Sequence, residues 1–146
     1  MESMQYTRAE DQLEFETARQ ANEPLDPSVF LGVWANTNSA TNGIVKVILA
    51  ARDGALTVRV FGAGDPSACD WGEVEANVFA ENVGSGEGKT FMASYDFGFM
   101  EVCLHAWVKL GVLVIAKFDR FKDGSGRSNR FSREFFYLLE PVGGLD

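Results

Sequence analysis

The chain has 146 residues and carries 13 lysines and arginines against 21 aspartates and glutamates, a formal net charge of −8. That length suits one domain with one core. The acidic balance argues against a general nucleic-acid binder, which needs a basic footprint, and no run of about 18 apolar residues offers a membrane span. Fifteen glycines and twelve phenylalanines against four prolines suit many short strands joined by tight turns. The first residues are polar and acidic and lack the apolar segment of a signal peptide. Cys69 and Cys103 make no disulfide framework. A cytoplasmic protein with two reduced thiols is the expectation.

Residues 1–26 read as a partly helical extension. Thr7-Arg8-Ala9-Glu10 forms a capping box, and a helix is expected from there to about Ala21, ending before Asn22 and Pro24. Its apolar stripe is thin, limited to Tyr6, Ala9 and Leu13. Residues 27–140 form the domain proper, and 141–146 are a tail. Alternation and turn chemistry predict eight strands, at about 31–38, 43–51, 55–62, 72–80, 90–97, 99–109, 112–121 and 130–139. Thr41-Asn42-Gly43, Arg52-Asp53-Gly54, Phe97-Gly98, Leu110-Gly111 and Lys122-Asp123-Gly124-Ser125-Gly126 supply the turns. The links are short, so successive strands are expected to pair as a meander and close into an eight-stranded antiparallel up-and-down barrel.

Alternation also assigns faces. Val102, Leu104 and Ala106 share one side of the sixth strand, and hairpin geometry adds Phe91, Ala93 and Tyr95, then Leu113, Ile115, Lys117 and Asp119. Val45, Val47, Leu49, Leu56, Val58, Val60, Val74, Ala76 and Val78 complete this expected interior. Its few polar groups are Asn36, Tyr95, Lys117, Asp119, Arg133 and Tyr137. A buried charge needs a partner, so Asp119 is expected to neutralise Lys117 or Arg133. A few convergent polar groups on an apolar wall suit an orienting ligand site, and equally a satisfied structural network. The opposite face carries Met92, Trp107, Val114 and Phe118 beside Glu101, His105 and Arg120. An exposed apolar strip of this kind marks an interface, here for a homodimer.

Three motifs invite chemistry and fall short of it. Gly84-Ser85-Gly86-Glu87-Gly88-Lys89-Thr90 approaches a phosphate-binding loop, but Val83 stands where the first glycine belongs and a strand follows in place of a helix. Asp123 to Asn129 alternates oxygen donors faintly like a calcium loop, yet lacks the distal glutamate and contains Arg127. His105 is the one histidine, which argues against a His/Cys zinc site, and no Gly-x-Ser-x-Gly elbow is present for a hydrolase. No metal or other cofactor is implied. Trp71, after the Asp65–Asp70 turn, reads as a loop anchor or a lid over a barrel mouth. Arg127, Arg130 and Arg133 cluster near one end, as a solvated rim or a guide for anions.

Phe30-Leu31-Gly32-Val33-Trp34, after Asp26-Pro27-Ser28, places a Gly-x-Trp on the first strand. With eight strands and a late basic residue, this resembles the calycin superfamily of small ligand-holding barrels over residues ~27–140. The resemblance implies a lipocalin-like barrel in which Trp34 packs at the closed end beneath a basic residue, Arg133 or Arg130. The chain lacks the two helices that follow this signature in fatty-acid-binding proteins, and the signal peptide of secreted lipocalins. The resemblance implies a small, mostly apolar molecule in the lumen, held by Trp34, Asn36, Trp71, Tyr95, Lys117, Asp119, Arg133 and Tyr137. The alternative it implies is a cofactor-free cyclase or isomerase, similar to allene oxide cyclases or spirocyclases, with Tyr95, Asp119 and Tyr137 steering a confined substrate. A third reading, from the strip alone, is a protein-interaction module; a cavity above about 300 Å3 favours the first two, and a filled barrel the third.

Overall fold

The computed structural model describes residues 25–141, so the expected N-terminal helix lies outside the described residues. A 3-10 turn, Ser28–Phe30, leads into β1 (Gly32–Asn36), β2 (Ile44–Arg52), β3 (Ala55–Gly62), β4 (Cys69–Glu75), β5 (Asn77–Phe79), β6 (Thr90–Asp96), β7 (Met100–Lys109), β8 (Val112–Phe121) and β9 (Arg130–Glu140). All pairings between these strands are antiparallel, in the order β4-β3-β2-β1-β9-β8-β7-β6-β5. The first and last strands therefore lie side by side, and the sheet curls until its two edges face each other.

Those edges are two halves of one stretch of chain. The expected single strand at 72–80 starts earlier and is broken at Ala76, which is why there are nine strands and not eight. β4 pairs with β3, and β5 pairs with β6. At the break the Ala76 amide donates to the Leu56 carbonyl at 2.8 Å. The chain thus changes partner in mid-strand, and the barrel is nearly closed, not fully laced. The Tyr95 hydroxyl lies across this seam from β6, 2.8 Å from the Gly72 carbonyl of β4 and 3.1 Å from that of Val58 in β3.

Turn residues behave as their chemistry requires. Asp53-Gly54 and Leu110-Gly111 each hold two successive residues at positive φ, between 53° and 82°, the conformation of a two-residue hairpin matched to sheet twist. Gly32 has φ of 144°, and a Cβ there would sit 2.5 Å from Leu138 Cδ1 and 3.0 Å from the Glu140 carbonyl. The glycine of the Gly-x-Trp is demanded by the close approach of β9 to β1.

The interior is side chain throughout. Phe30, Val47, Leu49, Val58, Val60, Phe91, Val102, Leu104, Ala106, Leu113 and Phe136 all have zero exposure. These side chains are packed against one another out of contact with solvent, as in an ordinary protein core. One end is plugged: Phe30 meets Phe91 edge-on at 5.1 Å, and backbone bonds of Asp26 to Gly86 and Gly88 fasten the incoming chain to the β5–β6 loop.

Two face assignments need correction. A bulge between Ile44 and Lys46 turns Ile44 and Val47 inward and leaves Val45 half-buried. In β9 the register is one residue away from expectation: Asp119 stands opposite Arg130, Lys117 opposite Ser132 and Ala116 opposite Arg133. A one-residue slip exchanges the faces of a strand. Arg133 and Tyr137 are therefore exposed on the outer surface, while Glu134 and Phe136 turn inward.

Candidate functional site

The strand directions bring Asn36, Trp71, Tyr95, Lys117 and Asp119 to one end of the barrel, opposite the Phe30 plug. They form three satisfied clusters. Asp119, 3% exposed, accepts hydrogen bonds from Lys117 Nζ on both oxygens, at 2.8 and 2.7 Å. Arg130 adds Nε and Nη2 donors to Oδ2 at 3.2 and 2.8 Å. The expected ion pair with Lys117 is present, and the second cation is Arg130 in place of Arg133. Two cations face one carboxylate, so the cluster carries a formal charge of +1.

Asn36 belongs to a second cluster built around Glu134, a residue that sequence reasoning did not single out. The Asn36 amide donates to the Ile44 carbonyl and to Glu134 Oε1, at 2.8 and 2.7 Å. Thr41 Oγ1 and the Ile44 amide also donate to the Glu134 carboxylate. Glu134 therefore ties β9 to the β1–β2 connection. Its signal, an acidic residue two positions before Phe136, becomes legible only once the strand register is known.

The third cluster closes the seam. Trp71 sits on β4, not in a loop, and meets Tyr95 and Phe97 edge-on at 5.4 Å each. Burial pushes the Tyr95 phenol up to about 12. Trp34 lies toward the plugged end, where its indole donates to the Phe30 carbonyl at 2.8 Å. Neither arginine covers it: Arg130 is on Asp119, and Arg133 is on the outer face, its guanidinium 5.9 Å from the Phe135 ring. Among the described residues no buried side-chain polar atom lacks a partner. Chemically, this end of the barrel is a set of internal ties.

The outer face of β6–β9 is different. Facing residues form three cross-strand rows: Trp107–Val114–Phe135, then Met92–His105–Ala116–Arg133, then Cys103–Phe118–Phe131. Tyr137 continues the apolar surface beside Val112. Met92, Phe118, Phe131, Phe135 and Tyr137 are all exposed, from 37% to 60%. Val114 and Ala116 lie on the same face but are buried, the floor of a shallow valley between aromatic walls. Phe118 and Phe131 pack against each other at 5.1 Å, and His105 lies edge-on to Trp107 at 5.6 Å. Sequence reasoning found Met92, Trp107, Val114 and Phe118. It missed Phe131, Phe135 and Tyr137, which the register of β9 adds.

The remaining motifs settle into turns. Gly84–Lys89 is a loop, with Thr90 opening β6. Asp123 is occupied by its own loop, accepting from the Ser125 amide at 3.0 Å and Arg127 Nη2 at 2.7 Å; the Ser125 hydroxyl and amide, and then Arg127, hold its carboxyl down to about 2. Cys69 and Cys103 are free thiols. No protein-family model matches the sequence, and neither a curated protein nor a solved structure does. What the fold defines is an all-antiparallel, nearly closed β-barrel.

Proposed function

We propose that this barrel is an interaction module that associates with a second copy of itself through the outer face of β6–β9. The observation that carries this reading is the continuous aromatic surface from Met92 across to Phe131, Phe135 and Tyr137 on an otherwise strongly acidic chain. Exposed apolar patches of more than a few hundred Å2 mark association surfaces. Strand and residue spacings give this one about 20 Å by 25 Å, or roughly 500 Å2 of sheet. With a polar rim it approaches the roughly 800 Å2 per partner of a stable complex. The valley over Val114 and Ala116 between aromatic walls has the relief that a two-fold related copy can fill with its own ridges.

The packed interior supports this reading over a ligand-holding lumen, since its largest side chains, among them Phe30, Phe91, Phe136, Leu49 and Leu104, are fully buried. The calycin kinship remains part of the proposal at the level of architecture. The adjacency of β1 and β9 and the role of Gly32 support it.

Sedimentation velocity of the full chain tests the reading. The wild type is expected to run as a dimer at about 100 µM, a concentration that detects a Kd as weak as tens of micromolar. Phe118→Glu/Phe131→Glu is expected to run as a monomer with unchanged circular dichroism, because both side chains are exposed. A wild type that stays monomeric under those conditions overturns self-association.

A further inference from the structure

A second surface, independent of the outer face, lies where the β6–β7 and β8–β9 connections meet. Phe99, Met100, Phe121, Arg127, Ser128 and Arg130 line a hollow of about 390 Å3, near the lower end of the range of small-molecule sites. Its apolar wall is two aromatic rings and a methionine. Its polar side is two guanidinium groups held over the same ring: the Arg127 Cζ is 4.2 Å and the Arg130 Cζ 5.4 Å from the Phe121 centroid.

Both guanidiniums are fixed from behind. Arg127 donates Nε to Ser125 Oγ at 3.0 Å and Nη2 to Asp123 at 2.7 Å. Arg130 donates Nε and Nη2 to the buried Asp119. Among the described residues neither Nη1 has a protein partner, so each arginine keeps donors in hand while its orientation is set. Stacking on Phe121 restrains them further. Such preorganisation lowers the cost of binding.

Charge decides what kind of anion suits the hollow. Arg127 and Asp123 cancel. Arg130 and Lys117 share Asp119, which leaves one positive charge. A monoanion neutralises it, whereas a dianionic phosphate overshoots. A planar carboxylate also matches the donor fork of an arginine. We infer that this hollow binds a small carboxylate with an aromatic or alkyl body, the body lying on Phe99, Met100 and Phe121 and the carboxylate facing Arg127 and Arg130.

The test is a 1H–15N NMR titration of the full chain with 4-phenylbutyrate, and separately with the uncharged 4-phenylbutanol. The carboxylate is expected to shift amides in 97–101 and 121–130 saturably, with a Kd of about 1 mM or tighter. The alcohol is expected to bind at least about tenfold more weakly, because it lacks the charge-assisted hydrogen bonds. Arg127→Met, an exposed replacement that spares the Asp119 cluster, is expected to remove most of the preference for the carboxylate over the alcohol. Equal affinities for the two probes, shifts confined to the outer face of β6–β9, no saturable shift at all, or an Arg127→Met variant that keeps the full preference each overturns the assignment. The Arg127→Met variant leaves residues 118 and 131 unchanged, so this inference and the proposed dimer are tested by different substitutions and fail separately.

Discussion

Asp119 shows how a charge is kept inside a small barrel. Its side chain is 2% exposed and that of Lys117 11% exposed, so Asp119 has no water to turn to and Lys117 little. Asp119→Asn leaves the Lys117 ammonium without a counter-charge and is expected to cost about 3–5 kcal/mol. The paired replacement Lys117→Met/Asp119→Leu removes both charges and is expected to recover most of that loss, since Arg130 is free to enter solvent. Urea unfolding of the three proteins checks this; a single mutant as stable as the wild type sinks the pairing argument. Tyr95 gives a second residue-scale expectation. Its phenol is pushed up to about 12 by burial, against about 10 when unfolded. The folded state holds the proton more tightly, so this contribution is intact below about pH 10 and is lost as pH rises toward about 12. Tyr95→Phe is expected to lose about 1–3 kcal/mol at neutral pH, because the Val58 and Gly72 carbonyls forfeit their donor. It is also expected to show a shallower decline between about pH 10 and 12 than the wild type, measured as urea midpoints across that range. Equal slopes for the two proteins sink the assignment.

The seam is where the elements are weakest. β5 has three residues and one neighbouring strand, whereas β7 and β8 have ten each and lie between neighbours on both sides. Local opening follows such differences in buried pairing. Amides of Asn77–Phe79 are expected to exchange with deuterium at least about 100-fold faster than those of Val102–Ala106. Equal protection would mean that Ala76 is a bend in a fully laced barrel and not a weak line. The hairpins at Asp53-Gly54 and Leu110-Gly111, by contrast, were legible from two residues each. Their positive φ values follow from the twist that a two-residue connection must carry.

For the whole molecule, a net charge of −8 means that two copies repel at long range while the outer face of β6–β9 attracts at contact. Raising ionic strength from about 10 to 150 mM shortens the screening length from about 30 to 8 Å. The proposed dimer is therefore expected to tighten with salt, and a dimer that weakens instead would point to ion pairs across the interface. The carboxylate site depends on charge of the opposite sign and weakens under the same change.

Alternation and turn residues were enough to determine that this chain is all β and antiparallel, and where most of its strands run, though not that the one expected at 72–80 is two. They also determined that Asp119 needs a buried cation. These are properties of segments a few residues long, and local sterics and polarity set them. The face of β9 was decided by tertiary structure alone. Arg133 and Tyr137 read as inward, yet they lie outside with Phe131, Phe135 and Leu139, because Glu134 and Phe136 are drawn in by Asn36, Ile44 and Leu113 across the neighbouring strands. Aromatic residues destined for a surface look like core when the strand is read alone. The break at Ala76 was equally hidden, since only closure of the whole sheet determines which neighbour each half of that strand can reach.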